Sequence, residues 1–151
     1  MIVALDASPL SLLTQRLGVL HADECRAWAD ALGRAGHLIA IPAIADYEVR
    51  RELLRAGKLS SISRLDAMRT SPLVMHLPIT DNALLRAATL WADARRAGLP
   101  TAGAAELDCD VVLAAIVLSS NLPLDQVVVA TTNVAHLSRF LPAQTWQSIQ
   151  P

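Results

Sequence analysis

The chain has 151 residues, of which 53% are apolar, 18% charged and 3% aromatic. That is the make-up of one globular domain, expected here over residues 1–151, and it argues against a disordered chain or a two-domain enzyme. Thirteen basic and fourteen acidic side chains leave a net charge of −1, so the broad positive field of a nonspecific nucleic-acid coat is excluded and any polyanion must be held by a local patch.

Ile2-Val3-Ala4-Leu5 reads as a first strand, with Asp6 directly after it. No basic start, long apolar segment or small-residue cleavage site accompanies it, so no secretory signal is expected. Ser8-Pro9 looks like a helix N-cap with proline in the first turn, opening a helix through about Leu17. A second helix is expected from about Asp23 to Ala35, stopped by Gly36, and then a strand from His37 to Ile41 ended by Pro42. Ala43 to Ala56 is a helix closed by Gly57, and Ser60 to Met68 is another, before a short strand around Leu73 to Leu77.

Thr80 or Asp81 caps a long amphipathic helix ending near Arg96, with Gly98 as its stop. Leu99 to Glu106 carries Pro and Gly and is expected to be a loop. Leu107 to Ser120 reads as an apolar helix, Gln126 to Ala130 as a buried strand, and Asn133 to Phe140 as a short helical turn before a tail containing Trp146. This alternation of short strands and helices predicts an α/β fold, a three-layer α/β/α sandwich around a mainly parallel sheet.

The longest apolar run, Val111 to Leu118, falls well short of the roughly 20 residues that a membrane-spanning helix needs. Cys25 and Cys109 are lone cysteines without CxxC or Cys/His spacing, which fits a reducing compartment and points away from zinc. A cytoplasmic protein without membrane association is expected. All but one of the thirteen cations are Arg, and six lie between positions 50 and 69: Arg50, Arg51, Arg55, Lys58, Arg64 and Arg69. Arginine suits bidentate phosphate contacts, and the alternative is a solvated helix face.

In open parallel sheets ligands sit beyond the carboxyl ends of the strands. Asp6 follows the first strand, Glu48 lies early in the helix after the second, and Thr131-Thr132-Asn133 follows the last. Asp108 and Asp110 open the apolar helix before that last strand. Each has an ordinary reading: Asp6 as a cap or turn residue, Glu48 as a partner of Arg51 or Arg55, Asp108 as an N-cap, Asp110 as an acid favoured by the helix dipole. Gathered at one edge, however, carboxylates repel by about 4 kcal/mol per pair at 4 Å and an effective dielectric near 20. A divalent cation is the natural relief, and oxygen-only ligands point to Mg²⁺ or Mn²⁺.

Four segments carry a resemblance to the PIN-domain ribonucleases, which include VapC-type toxins. Ile2-Val3-Ala4-Leu5-Asp6-Ala7-Ser8 resembles the opening strand with its first acid, and Ile41 through Leu53 (IPAIADYEVRREL) is similar to the second-acid segment. Asp108-Cys109-Asp110-Val111-Val112-Leu113-Ala114-Ala115 resembles the third-acid helix, and Val129 through Leu137 (VATTNVAHL) the final strand and polar turn. The segments fall in the family's order across almost the whole chain.

The resemblance implies a PIN-like fold and metal-dependent hydrolysis of RNA, plausible for the toxin of a toxin–antitoxin pair. Asp6, Glu48 and Asp110 would be the metal-binding triad and Asn133 a fourth catalytic position. Asp6 and Asp110 would be direct or water-mediated ligands, and Glu48 a ligand or the group positioning the attacking water. Thr131 would support by hydrogen bonding, and Asp108 is a further candidate for support, preferred as an N-cap. Arg51 and Arg55 are candidate substrate contacts, sharing a polar face with Glu48 and Glu52 beside an apolar stripe of Val49, Leu53 and Ala56. The implied partners are RNA, an antitoxin protein and a second copy of the chain. Two departures stand out: the fourth position, often an acid, is Asn133, and Ala7 occupies a place commonly held by Thr.

His136 reads as a packed or surface histidine rather than a phosphate contact, and His21, His37 and His76 form no ligand spacing. Trp28 and Trp91 fall in amphipathic patterns and read as core or interface. Cys109 lies between acids, which raises its thiol pKa and argues against a nucleophile. A phosphoacceptor receiver domain needs a strand-end lysine, whereas Lys58 is in a helical region. A dehalogenase-type phosphatase needs a second acid where Ser8 stands. The remaining alternative is a catalytically inactive PIN-like module that binds protein or RNA.

Overall fold

The computed structural model describes residues 1–100, 103 and 108–151. Its first strand, β1 (Ile2–Leu5), is buried at every position. Successive side chains of a strand point to opposite faces, so four buried residues in a row require both faces of the sheet to be covered. The same holds for β4 (Val127–Ala130). Helices flank a five-stranded, all-parallel sheet of order β3-β2-β1-β4-β5, completed by β2 (Leu38–Pro42), β3 (Val74–Leu77) and β5 (Ala143–Gln144). This is the α/β/α arrangement that the strand and helix alternation predicts.

The helices are α1 (Ala7–Thr14), α2 (Leu20–Arg34), α3 (Ala43–Arg55), α4 (Leu59–Arg69), α5 (Asp81–Arg96), α6 (Cys109–Leu118) and α7 (Val134–Leu137). α1 starts earlier than the Ser8-Pro9 pattern predicts. The Asp6 carboxylate accepts the Ala7 N–H at 2.7 Å and is the N-cap, which places Pro9 third in the helix, where its missing N–H is still one of the unpaired first-turn donors. α1 also ends at Thr14 rather than Leu17, and α2 begins three residues before Asp23. Gly36, Gly57 and Gly98 follow their helices with φ of 78°, 64° and 71°, the left-handed turn that glycine adopts without a Cβ clash. Thr80 caps α5, accepting the Ala83 N–H at 3.1 Å. The predicted loop after Leu99 and the Leu107 start of the apolar helix fall largely outside the described residues.

α6 is apolar from Val111 to Leu118, and six of those eight residues are buried, as expected of a helix covered on most of its faces. The sequence pattern misses β5, because two residues after Pro142 leave no alternation to detect. Its register is set by the backbone bonds Val129 N–H to Pro142 C=O at 2.8 Å and Thr131 N–H to Gln144 C=O at 2.9 Å. The predicted tail is anchored too. Trp28 donates its indole N–H to the Ile149 carbonyl at 2.9 Å and packs on Trp146 with ring centroids 5.7 Å apart. Trp28 is thus core, as its pattern predicts. No helix among the described residues is long and apolar enough to cross a membrane.

Candidate active site

Chain direction places the site. From β1 the chain steps outward to β2 and β3, then returns to lay β4 against the other side of β1. The crevice beyond the carboxyl ends of β1 and β4 is therefore a topological switch point, where parallel sheets collect ligand groups. Pairing of Leu5 with Ala130, extended by the Asp6 N–H to Ala130 C=O bond at 3.0 Å, sets Asp6 abreast of Thr131. The β1–β2 register brings Pro42 level with Asp6, so α3 starts at the same edge and carries Glu48 back along it.

Asp6 is buried and held at both oxygens. One accepts the Ala7 N–H, and the other accepts the Thr131 hydroxyl at 2.7 Å. Thr131 Oγ1 in turn accepts the Asn133 N–H at 2.8 Å, which fixes the turn after β4. Ionised carboxylate oxygens offer about four acceptor sites, so Asp6 keeps lone pairs for a further partner. The Ser8 hydroxyl accepts from Thr132 at 3.2 Å and ties α1 to the same turn.

Asp108 is the N-cap of α6, accepting the Val111 N–H at 3.2 Å, in agreement with its preferred reading. That cap places Asp110 in the first turn, facing the β4 turn. Its Oδ2 accepts from Asn133 Nδ2 at 2.6 Å and lies 3.1 Å from His136 Nδ1. The same imidazole nitrogen lies 2.9 Å from Asn133 Nδ2. A nitrogen that donates to Asp110 cannot accept from Asn133, and the carboxylate charge favours donation. His136, read from sequence as packed or superficial, is therefore a site residue. The signal was its position three residues after Asn133, which puts both on one side of α7.

Burial pushes the carboxyls of both Glu48 and Asp110 above their ordinary values, and the charge of Asp6 raises each further. Hydrogen bonding from Cys109 and the charge of Arg51 oppose the rise at Glu48, while His136 opposes it at Asp110. Glu48 also feels Asp110 directly. The three acids, 42 and 62 residues apart in sequence, thus act on one another electrostatically. Burial and Glu48 push the Cys109 thiol up to about 12, which keeps it protonated at neutral pH and unsuited to nucleophilic attack.

The donors are oxygens, the type Mg²⁺ and Mn²⁺ prefer, and a cation would relieve the repulsion that raises Glu48 and Asp110. Among the described residues, no three carboxylate, imidazole or thiol groups already form a cage around one point. The acids fit such an ion by the chemistry of their oxygens and by their electrostatic neighbourhood.

The arginine cluster is dispersed rather than gathered into one patch. Arg50 and Arg69 both bind the buried Asp46, at 2.7 and 3.4 Å, and Arg50 also binds Asp66 at 2.8 Å. Arg55 pairs with Glu52 at 2.8 Å. Arg51 lies over the Tyr47 ring, 5.4 Å from its centroid, and 3.9 Å from Glu52, and is the member of the cluster whose charge reaches Glu48. Val49 and Leu53 are buried as the α3 stripe predicts, but Ala56 is exposed, because the helix has already ended at Arg55 and the chain turns outward at Gly57.

No protein-family model matches the chain, and a search of curated proteins finds no match. Solved structures do match. One is the crystal structure of VapBC2 from Rickettsia felis bound to a DNA fragment from their promoter, with a TM-score of 0.71, 17% identity, and coverage of 97% of this chain and 99% of that one. Another is VapBC-1 from nontypeable Haemophilus influenzae, with a TM-score of 0.64, 19% identity, and coverage of 98% and 100%. At these identities the likeness is one of fold, and it bears out the resemblance read from the four segments: the chain has a VapC-like PIN fold over nearly its whole length.

Proposed function

We propose that this protein is a metal-dependent endoribonuclease of the VapC type, the toxin of a toxin–antitoxin pair, acting through Asp6, Glu48 and Asp110. The observation that supports it best is the gathering of these acids at the switch point, where the charge of Asp6 raises both Glu48 and Asp110. Asp6 and Asp110 would hold Mg²⁺ or Mn²⁺, with Glu48 as a third ligand or as the group orienting the attacking water. The bound ion supplies a water of lowered pKa and neutralises charge on the phosphorus oxygens. Thr131 keeps one Asp6 oxygen fixed, and Asn133 with His136 fixes Asp110, so neither carboxylate has to be ordered when substrate arrives. Arg51 stands beside Glu48 as the contact for a flanking phosphate. RNA and an antitoxin protein are the partners of this reading, the latter because the structures of similar fold are VapBC complexes.

An inactive module that binds RNA or protein is the second reading, favoured by Asn133 in the place of an acid and by the open arrangement of the donors. Cleavage of a labelled single-stranded RNA separates the two. The nuclease reading expects cutting with Mn²⁺, none with EDTA, and a loss of at least tenfold in Asp110→Asn. Binding without cutting at any metal concentration would support the module.

A further inference from the structure

Helices α1 and α3 both start at the carboxylate edge of the sheet, and where they end a second feature lies. A cleft of about 590 Å³ lies there, with Val19 and Leu59 in its wall and its polar groups supplied by Gln15, Arg16, Lys58, Ser60, Ser61 and Arg64. Three of these are cations, drawn from the segment after α1, the α3–α4 turn and α4. No acid is among the lining residues. Asp23, the first acid after Arg16 in sequence, is taken up by Arg26 and the Gly18 N–H.

The cations differ in how they are held. Arg64 is fixed, its Nε donating to the Thr14 carbonyl at 2.7 Å and its Nη2 to Ser61 Oγ at 3.1 Å, and Nη1 has no partner among the described residues. Arg16 and Lys58 carry their charge on side chains that bind no described residue. Ser61 is buried and accepts from Arg64, so its hydroxyl hydrogen is still available to donate. A cleft lined by charge of one sign concentrates the field and the counter-ions within it. Three positive charges and two serine hydroxyls exceed what one planar, singly charged carboxylate can use, whereas a phosphate group presents more oxygens for the same donors.

We propose that this cleft is a phosphate-binding site and that its ligand is the backbone of a polynucleotide engaged at the carboxylates. The RNA assignment rests on the ribonuclease reading, whereas phosphate capture by the cleft does not. The 8 residues of α1 and 13 of α3 span about 12 and 20 Å at 1.5 Å per residue. Phosphates repeat every ~3.4 Å of axis in a stacked strand and about twice that in an extended one, so about two to six nucleotides separate the two sites. Long RNA should therefore feel the cleft and very short RNA should not.

The full chain, ¹⁵N-labelled, is titrated with inorganic phosphate against chloride at constant ionic strength. The expected result is movement of the Lys58, Ser60 and Ser61 amide signals in wild type, lost in the Arg16→Gln/Lys58→Gln double variant. Binding of 2- and 12-nucleotide RNAs is then measured over a salt series in an Asp110→Asn background. Adding the two cleft substitutions should lower the salt slope for the longer RNA by about 1.4, at about 0.7 per phosphate contact, and leave the shorter unchanged. Unmoved amides or an unchanged slope would overturn the proposal. So would a poly-glutamate peptide moving the same amides at lower concentration than polyphosphate, which would mark a protein-docking cleft. Failure of the wild type to cut RNA while phosphate still moves the amides would overturn the nuclease reading alone, and normal cutting without those shifts would overturn the cleft alone.

Discussion

Thr131 carries more of the site than its size suggests. Its hydroxyl donates to Asp6 and its oxygen accepts the Asn133 N–H, both in a buried setting. Thr131→Val keeps the volume and removes both bonds, leaving buried groups without partners, at a cost of about 1–3 kcal/mol. Urea denaturation should show that loss, while Thr131→Ser should recover most of it. Glu48 behaves in the opposite sense. Its carboxyl is raised above the ordinary 4.5, chiefly by burial and then by Asp6 and Asp110 against the help of Cys109 and Arg51. The native state therefore binds its proton more tightly than the unfolded chain does, and stability falls as pH rises from 4.5 through the raised value. Glu48→Gln should raise the melting temperature at pH 7 in EDTA, and the gain should shrink at pH 4, where both states are largely protonated. A gain equal at the two pH values would mean that Glu48 is not the source.

At the scale of elements, α3 and α4 show how a charge cluster read from sequence is apportioned by packing. Arg50 and Arg69 are drawn to Asp46, which is buried because it sits in the first turn of α3 against the sheet edge. Asp46→Ala removes their shared partner and should cost about 1–3 kcal/mol in chemical denaturation, scaled down from a fully buried pair because both arginines are partly exposed. Arg55 binds Glu52 at the surface, and its removal should cost no more than about 0.5 kcal/mol and leave RNA affinity alone. Arg51→Ala should instead raise KM with kcat nearly unchanged and lower the salt slope by about 0.7. Equal effects of the two substitutions on KM would place the phosphate contact elsewhere.

The same elements explain what could be read from the residues. Strand β1 and its trailing Asp6, the proline-ended β2, and the glycine stops of α2, α3 and α5 are local signals, and they survive folding because the packing agrees with them. β5 is two residues long, and its pairing with β4 comes from backbone register rather than side-chain pattern. The convergence of Asp6, Glu48 and Asp110 was legible through the resemblance and the strand-end rule, since each acid follows or precedes a recognisable buried run. The bond from His136 to Asp110 was not, because it depends on where α6 stands relative to the turn after β4. Neither was the buried role of Asp46, although its i,i+4 spacing from Arg50 is visible in the chain.

For the whole molecule, the order β3-β2-β1-β4-β5 sets β1 at the centre and opens the crevice between it and β4. The fold confines three mutually repelling carboxyls that the unfolded chain keeps apart, so a cation should bind the native state selectively. Mn²⁺ at 100 times its dissociation constant should stabilise the wild type by about 2.7 kcal/mol, and Asp6→Asn much less. Equal shifts in the two proteins would locate the ion away from the acids.

The central claim is that Asp6 and Asp110 work in one catalytic centre, and single-turnover RNA cleavage across the cycle of wild type, Asp6→Asn, Asp110→Asn and the double variant tests it most directly. Groups acting as a unit are strongly non-additive, so the double variant should be about as slow as the slower single one, with all three at least tenfold below wild type in Mn²⁺. Near-wild-type rates in both single variants, or losses that multiply in the double, would contradict a shared centre.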